Sequence, residues 1–257
     1  MQAKKKLTIE AVLYLVVIAT VVRQFFLGNY ENMFLGLLTL VLFSLPKIVE
    51  RALKVYIPHG LTVVIMLFIF CAEILGEINA FYIKVPIWDT LLHTTNGFLM
   101  AAIGFALIDI FNRSERFSVK MSPYFVAFTA FCFSMTIGVL WEFFEFGADC
   151  LLHTDMQKDW IVEAVHSVKL RTDGLNEAVH VPVSSLVVNG QNWGEAYGFS
   201  GYLDIGLIDT MKDLLVNFVG AVVFSLVGIV YLKNRKETGL AASLIPRVAA
   251  DEEDKAE

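Results

Sequence analysis

Three carboxylates repeat along one short stretch of the chain, at Glu142, Glu145 and Asp149. On a helix, these spacings place all three side chains on one face. The stretch closes a long apolar run that begins near Ser122, so the acids lie near the end of a predicted membrane span. Carboxylates in such a place are costly unless cations, hydrogen bonds or shared protons compensate them. The stretch is therefore our first candidate for a functional site.

Three further apolar runs carry polar side chains at the same predicted level. They are Glu73, Glu77 and Asn79 at the end of one run, Asp89, His93 and Asn96 at the start of the next, and Asp209, Asp213 and Asn217 at the start of the last. At 1.5 Å per residue, most of them lie within roughly 10–15 Å of one end of a span. Because consecutive spans run in opposite directions, we expect four helices to bring acids to one membrane surface.

Carboxylates grouped with one imidazole are typical of a divalent metal site. Oxygen ligands suit Mg²⁺, Mn²⁺ or Ca²⁺, and an imidazole shifts the preference towards Zn²⁺ or Mn²⁺. The predicted cofactor is therefore a divalent metal, Zn, Mn or Mg. The predicted metal ligands are His93, Glu142, Glu145 and Asp213. The predicted catalytic residues are Glu142, Asp213 and Asp89.

Each of these residues also has a purely structural interpretation. Asp89 and Asp209 stand at the starts of runs, where an acid caps a helix and meets its positive end. Asp89 could also orient the imidazole of His93, one helical turn away. Asn96 and Asn217 are typical of hydrogen bonds between membrane helices.

The elements that must position these residues are membrane helices. The chain has 257 residues, of which 56% are hydrophobic, a composition typical of polytopic membrane proteins rather than soluble domains. We predict an all-α transmembrane bundle of about six spans, the second being short. The runs are Leu7–Leu27, Asn32–Leu45, Gly60–Phe81, Asp89–Phe111, Ser122–Ala148 and Asp209–Leu232. The three cysteines form no C-x-x-C motif, which argues against a cysteine zinc site.

The distribution of basic residues predicts the orientation. Lysines and arginines concentrate in every second connection, namely 4–6, 47–54, 113–120 and 233–236. The positive-inside rule then places both termini in the cytoplasm. The predicted location is the inner (plasma) membrane of the cell.

The predicted organisation has one long external segment. Residues 1–149 hold spans one to five, 150–208 form an external loop that serves as a lid or binding surface, 209–233 form span six, and 234–257 form a disordered cytoplasmic tail. Within the loop we expect a surface helix in Leu151–Leu170. The alternating Val179–Val188 followed by Asn189-Gly190 predicts a hairpin.

Four segments carry a resemblance to a known group of proteins. They are Leu75–Tyr82, Trp88–Gly97, Leu140–Asp149 and Gly201–Asn217. In these segments the chain resembles the YjdF-like domain-of-unknown-function family of uncharacterised bacterial inner-membrane proteins, and more faintly the VanZ-like proteins. The resemblance implies a bacterial multi-pass membrane protein and brings no established activity.

Three functions remain open from the sequence. The first is a metal-dependent enzyme that acts on a membrane lipid or an envelope precursor at the outer face. The second is a cation or proton-coupled transporter that uses the acids as an ion site. The third is a non-catalytic membrane scaffold or sensor. Membrane lipids and an envelope substrate are the predicted partners, and nucleic acid is not; the oligomeric state is left open.

Overall fold

The computed structural model describes residues 2–53, 55–113, 121–234, 245 and 247–248. Its helices are α1 (Gln2–Phe26), α2 (Tyr30–Leu42), α3 (Leu45–Leu53), α4 (His59–Ile69), a π-helix (Phe70–Ile78), α5 (Phe81–Lys84), α6 (Trp88–Arg113), α7 (Pro123–Leu152), a 3₁₀ turn (Val168–Leu170), α8 (Trp193–Tyr197) and α9 (Leu207–Asn234).

Six helical stretches among the described residues are long and apolar enough to cross a membrane. They are Ile9–Phe26, Tyr30–Ala52, His59–Ile78, Trp88–Asp109, Pro123–Leu152 and Leu207–Lys233. The predicted all-α bundle with six spans is thereby confirmed. The short second run is continued by α3, which starts anew at Leu45 because Pro46 suits the first turn of a helix and not its interior.

The strands are short and pair antiparallel in twos. β1 (Val55–Tyr56) pairs with β8 (Arg247–Val248), β2 (Ile161–Val162) with β7 (Tyr202–Leu203), β3 (Ala164–Ser167) with β4 (Val179–Pro182), and β5 (Val187–Val188) with β6 (Gln191–Asn192). Within the predicted disordered tail, 234–257, the structure describes Asn234 at the end of α9, Ile245 and the strand β8. The other residues of the tail lie outside the described part of the chain.

The predicted surface helix over Leu151–Leu170 is wrong. α7 ends at Leu152, and His153 follows with a φ of 57°, the left-handed conformation that stops a helix. The residues beyond it, among them the β-branched Ile161, Val162 and Val165, instead form β2 and β3. The predicted hairpin at Asn189-Gly190 is confirmed, since both residues have positive φ and join β5 to β6.

The described residues divide into two compact units. The first comprises those within Met1–Val139 and Asp213–Glu257, and the second comprises Leu140–Lys212. In the first unit, α6 and α9 share an apolar core in which Phe105 and Phe224 are fully buried and contact edge to face, with ring centroids 5.8 Å apart. A second core joins α1, α2, α4 and the π-helix around Val17 and Met66.

Two glycines bring the backbones of α6 and α9 into direct contact. A Cβ added at Gly97 would lie 3.0 Å from the Cα of Asn217 and would overlap the Asn217 carbonyl oxygen. A Cβ added at Gly220 would overlap the carbonyl oxygen of Thr94. Small residues permit such close packing between membrane helices. From α7, the Ser134 hydroxyl donates to the Gly97 carbonyl at 2.7 Å, which fixes a third helix at the same point.

We expect the Gly220→Ala substitution to destabilise the protein by about 1–3 kcal/mol, because the new methyl group must force α6 and α9 apart. Thermal unfolding in detergent measures this as a lowered midpoint. Gly147→Ala is the matched control, since a Cβ at that helical position has no atom within 4 Å outside its own helix backbone and adjacent residues. Equal midpoints for the two variants would contradict the close α6–α9 contact.

Candidate metal centre

Two helical segments of the first unit present the candidate ligands, namely the start of α6 and the part of α9 that begins at Asp213. α6 begins at Trp88, so Asp89 lies in its first turn, where the positive end of the helix favours a carboxylate. His93 follows one turn later on the same face. α9 presents Asp213 and, one further turn along, Asn217. The contact at Gly97 and Gly220 holds these two helical segments together just below the polar side chains.

The structure brings Asp89, His93 and Asp213 together. The His93 Nε2 atom lies 3.5 Å from Asp89 Oδ1 and 3.7 Å from Asp213 Oδ2. One ligand atom from each residue lies within 4.8 Å of the other two, which is close enough to hold one metal ion. The side chains of His93 and Asp213 are 11% and 4% exposed, whereas Asp89 is 32% exposed. The cluster is therefore enclosed on two sides and more open beside Asp89.

These separations fit a shared ion. Two atoms at about 2.0–2.2 Å from a tetrahedral ion lie roughly 3.3–3.6 Å apart, close to the two distances measured from the imidazole. Both distances exceed those of an ordinary hydrogen bond, about 2.7–3.2 Å. The donor set of one imidazole and two carboxylates suits Zn²⁺ or Mn²⁺.

Two asparagines lie one turn below the cluster. Asn96 Nδ2 donates to Asn217 Oδ1 at 3.3 Å, which links α6 to α9 as the structural interpretation of these residues predicts. Asn217 is 1% exposed, and its amide also donates to the Met135 sulfur at 3.6 Å. A Cβ at Gly138 would lie 2.7 Å from that same amide nitrogen. The asparagine is thus held from two other helices, α6 and α7, and it stiffens the segment of α9 that presents Asp213.

Glu142 and Glu145 lie on α7 in the second unit. Both carboxylates are buried, at 4% and 7% exposure. The aromatic residues between and beside them are exposed, as the shared helical face of the acids predicts; they are Trp141, Phe143, Phe144 and Phe146. Trp141 Nε1 donates to Glu145 Oε1 at 2.8 Å. The assignments of Glu142 and Glu145 as metal ligands, and of Glu142 as a catalytic residue, stay predictions.

Asp149 has a structural role in the second unit. Its carboxylate accepts hydrogen bonds from the Thr154 hydroxyl and the Met156 amide, each at 2.7 Å, and from the Gln157 amide at 2.8 Å. The side chain therefore fixes the turn that follows α7.

Asp209 and Asp204 bind the other end of the same loop. Asp209 accepts from the Lys158 amide at 2.7 Å and from Trp160 Nε1 at 3.4 Å. Asp204 accepts from the amides of Trp160 and Ile208, each at 2.7 Å. Sequence reasoning missed Asp204, although an acid just before a helical run is a signal for a cap.

The loop also carries acids that crowd one another. Partial burial raises the pKa of Asp159, and the charges of Asp155, Asp204 and Asp149 raise it further, against a smaller opposing effect of Lys158. The nearby ammonium of Lys212 lies 2.9 Å from the centroid of the Trp160 ring. The negative charge in this part of the loop is therefore only partly balanced.

Glu73 and Glu77 lie on the π-helix, which the sequence does not predict. Glu73 is half-buried and Glu77 is exposed. Such widened turns free backbone carbonyls and are frequent at functional sites. Trp88 Nε1 donates to the Cys71 carbonyl in this segment at 3.3 Å, so this tryptophan connects the π-helix to the first turn of α6.

The comparison with protein-family models identifies a membrane family, and neither matched description carries an assigned activity. A family model described as "Predicted membrane protein (DUF2238)" matches residues 8–234. An uncharacterized protein of Thermotoga maritima is 27% identical over 107 residues, which cover 42% of this chain and 53% of that protein. The chain thus spans about half the length of this curated relative. No solved structure matches the chain.

We expect Asp149→Ala to loosen the segment 154–157, because two backbone amides and one hydroxyl lose their acceptor. Hydrogen–deuterium exchange of the purified protein would show faster exchange in this segment. Asp155→Ala is the control, since its exposed carboxylate forms an ion pair with Lys158 at 3.5 Å and, among the described residues, accepts no backbone hydrogen bond. Equal exchange in both variants would show that Asp149 does not hold the loop.

Proposed function

We propose that this chain, which belongs to the DUF2238 family of predicted membrane proteins, binds a divalent metal ion between Asp89, His93 and Asp213 and uses it in an enzymatic reaction. The observation that carries the proposal is the convergence of these three side chains, from α6 and α9, within 4.8 Å. Three protein ligands with further positions open to water or substrate are typical of catalytic rather than structural metal sites.

Each of the three residues has a different role in such a site. His93 would bind as a neutral imidazole through Nε2, the atom that lies near both carboxylates. Asp213 is the most enclosed of the three, so it would fix the ion relative to α9. Asp89 is the most exposed of the three, and it marks the side from which a substrate enters. A bound Zn²⁺ or Mn²⁺ would supply Lewis acidity and an activated water.

The substrate class follows from the position of the cluster. It lies in the first turns of α6 and α9, the ends that the basic residues place at the outer membrane surface. A phosphate-bearing lipid head group or an envelope precursor meets the protein at that level. We accordingly place the protein in the plasma membrane of a bacterium with both termini in the cytoplasm. The segment 150–208 then lies outside the cell as a lid or binding surface.

Metal analysis of detergent-purified protein tests the metal centre. We expect about one equivalent of Zn or Mn in the wild type and a loss of at least tenfold in affinity in His93→Ala and Asp213→Asn. Glu31→Gln is the control, because Glu31, like Asp89, is an acid in the first turn of a membrane helix. Wild-type protein without divalent metal, or metal retained in both ligand variants, would refute the site.

A measurement of turnover tests the proposed enzymatic activity separately from metal binding. Metal-loaded wild type is expected to release phosphate or a phosphorylated head group from lipid vesicles, and Asp89→Asn and His93→Ala are expected to lose this activity. Glu142→Gln tests the two separate predictions for Glu142: a loss of metal would support its assignment as a ligand, and retained metal with lost turnover would support its assignment as a catalytic residue. Bound metal with no turnover of any head group would contradict the enzyme while leaving the metal site in place.

A further inference from the structure

A wholly apolar pocket lies in the first unit, and its lining on α6 begins at Leu99, six residues after His93. Its volume is about 200 Å³, and α3, β1, α4 and α6 all contribute to its walls. Every lining residue is apolar, including Leu45 and Val49 of α3, Leu61 and Ile65 of α4, and Leu99 and Ile103 of α6. An apolar cavity of about 150 Å³ excludes water and binds hydrocarbon. The pocket therefore favours a hydrocarbon group.

The shape of the pocket matches a single hydrocarbon chain. Its lining runs from Leu61 to Ile69 on α4 and from Leu99 to Leu107 on α6, a length of about 12 Å on each helix. A helix of a second protein has a diameter of about 10–12 Å with its side chains and needs far more space. The pocket therefore suits one acyl chain better than a helix from another copy.

The short helix α3 carries positive charge beside this pocket. Leu45, Pro46 and Val49 line the cavity, whereas Lys47 and Arg51 are exposed and lie one turn apart. The one acid of α3, Glu50, accepts a hydrogen bond from the Ile57 amide at 2.8 Å, which directs its carboxylate to the backbone. Lysines and arginines next to a membrane span attract anionic lipid head groups.

We propose that this pocket binds one acyl chain of an anionic phospholipid, whose phosphate pairs with Lys47 and Arg51. The basic residues of α3 belong to a connection that the positive-inside rule places on the cytoplasmic side. The lipid therefore comes from the inner leaflet. This lipid site includes none of Asp89, His93 and Asp213, so its existence can be tested independently of the metal centre.

Native mass spectrometry of the detergent-purified chain tests the site with two probes. The probes are phosphatidylglycerol and phosphatidylcholine, each with two oleoyl chains. We expect wild-type protein to retain phosphatidylglycerol about tenfold more strongly, since two basic residues contact its head group. Lys47→Gln/Arg51→Gln should reduce phosphatidylglycerol retention to that of phosphatidylcholine. Ala106→Phe, which fills the pocket at a buried lining position, should reduce retention of both lipids.

Ile83→Phe is the control for the added ring, because Ile83 is 81% exposed and lies on α5 outside the pocket. Leu45→Trp, at a lining residue that is 40% exposed, replaces Ala106→Phe if the latter fails to fold. Equal retention of the two lipids by wild type would overturn the proposal. Unchanged lipid retention in the pocket-filling variant would also overturn the proposal. A wild-type dimer that dissociates into monomers in this variant would overturn it as well. Metal content unchanged in Lys47→Gln/Arg51→Gln would show that the two sites are independent.

Discussion

The contact between α6 and α9 is the constraint on which the polar cluster depends. Gly97 and Gly220 remove the two side chains that would otherwise separate the helices, so the backbone of each helix touches the other. Membrane helices gain little from the hydrophobic effect among themselves, and such close packing replaces it. The approach holds both helix segments at short range one turn below His93 and Asp213, and that range lets the imidazole lie 3.7 Å from the carboxylate.

The same contact explains how acids are tolerated inside a membrane bundle. An isolated carboxylate at this depth is expensive, and it needs a partner that is fixed in place. Asp213 and Asp89 both lie near the Nε2 atom of the His93 imidazole, at 3.7 and 3.5 Å. The Asn96–Asn217 hydrogen bond ties α6 to α9 below them. The proposed metal ion would add further positive charge beside the two carboxylates.

Much of the architecture was predictable because it follows from local patterns. Apolar runs of membrane length indicated the six spans, and Asn189-Gly190 indicated the hairpin, since both residues favour positive φ. The one-turn spacing of Asp89 and His93 predicted their shared face. The π-helix was not predictable, because its extra residue depends on packing rather than on composition.

The role of the loop acids could not be read from spacing either. Asp149 continues the stripe of Glu142 and Glu145 in sequence, but its carboxylate binds backbone amides that arrive from beyond the helix end. Spacing reports which residues share a face of a helix, and it does not report where the chain turns afterwards. The predicted surface helix failed for the same reason, because the carboxylates of Asp149 and Asp204 organise the loop through its backbone.

X-ray absorption spectroscopy at the edge of the bound metal tests the central claim most directly. We expect a first shell of nitrogen and oxygen at about 2.0–2.2 Å, with the outer-shell signature of a single imidazole that disappears in His93→Ala. A shell without imidazole, or one with sulfur near about 2.3 Å, would show that the metal lies elsewhere in the chain. Either result would contradict a centre held between α6 and α9.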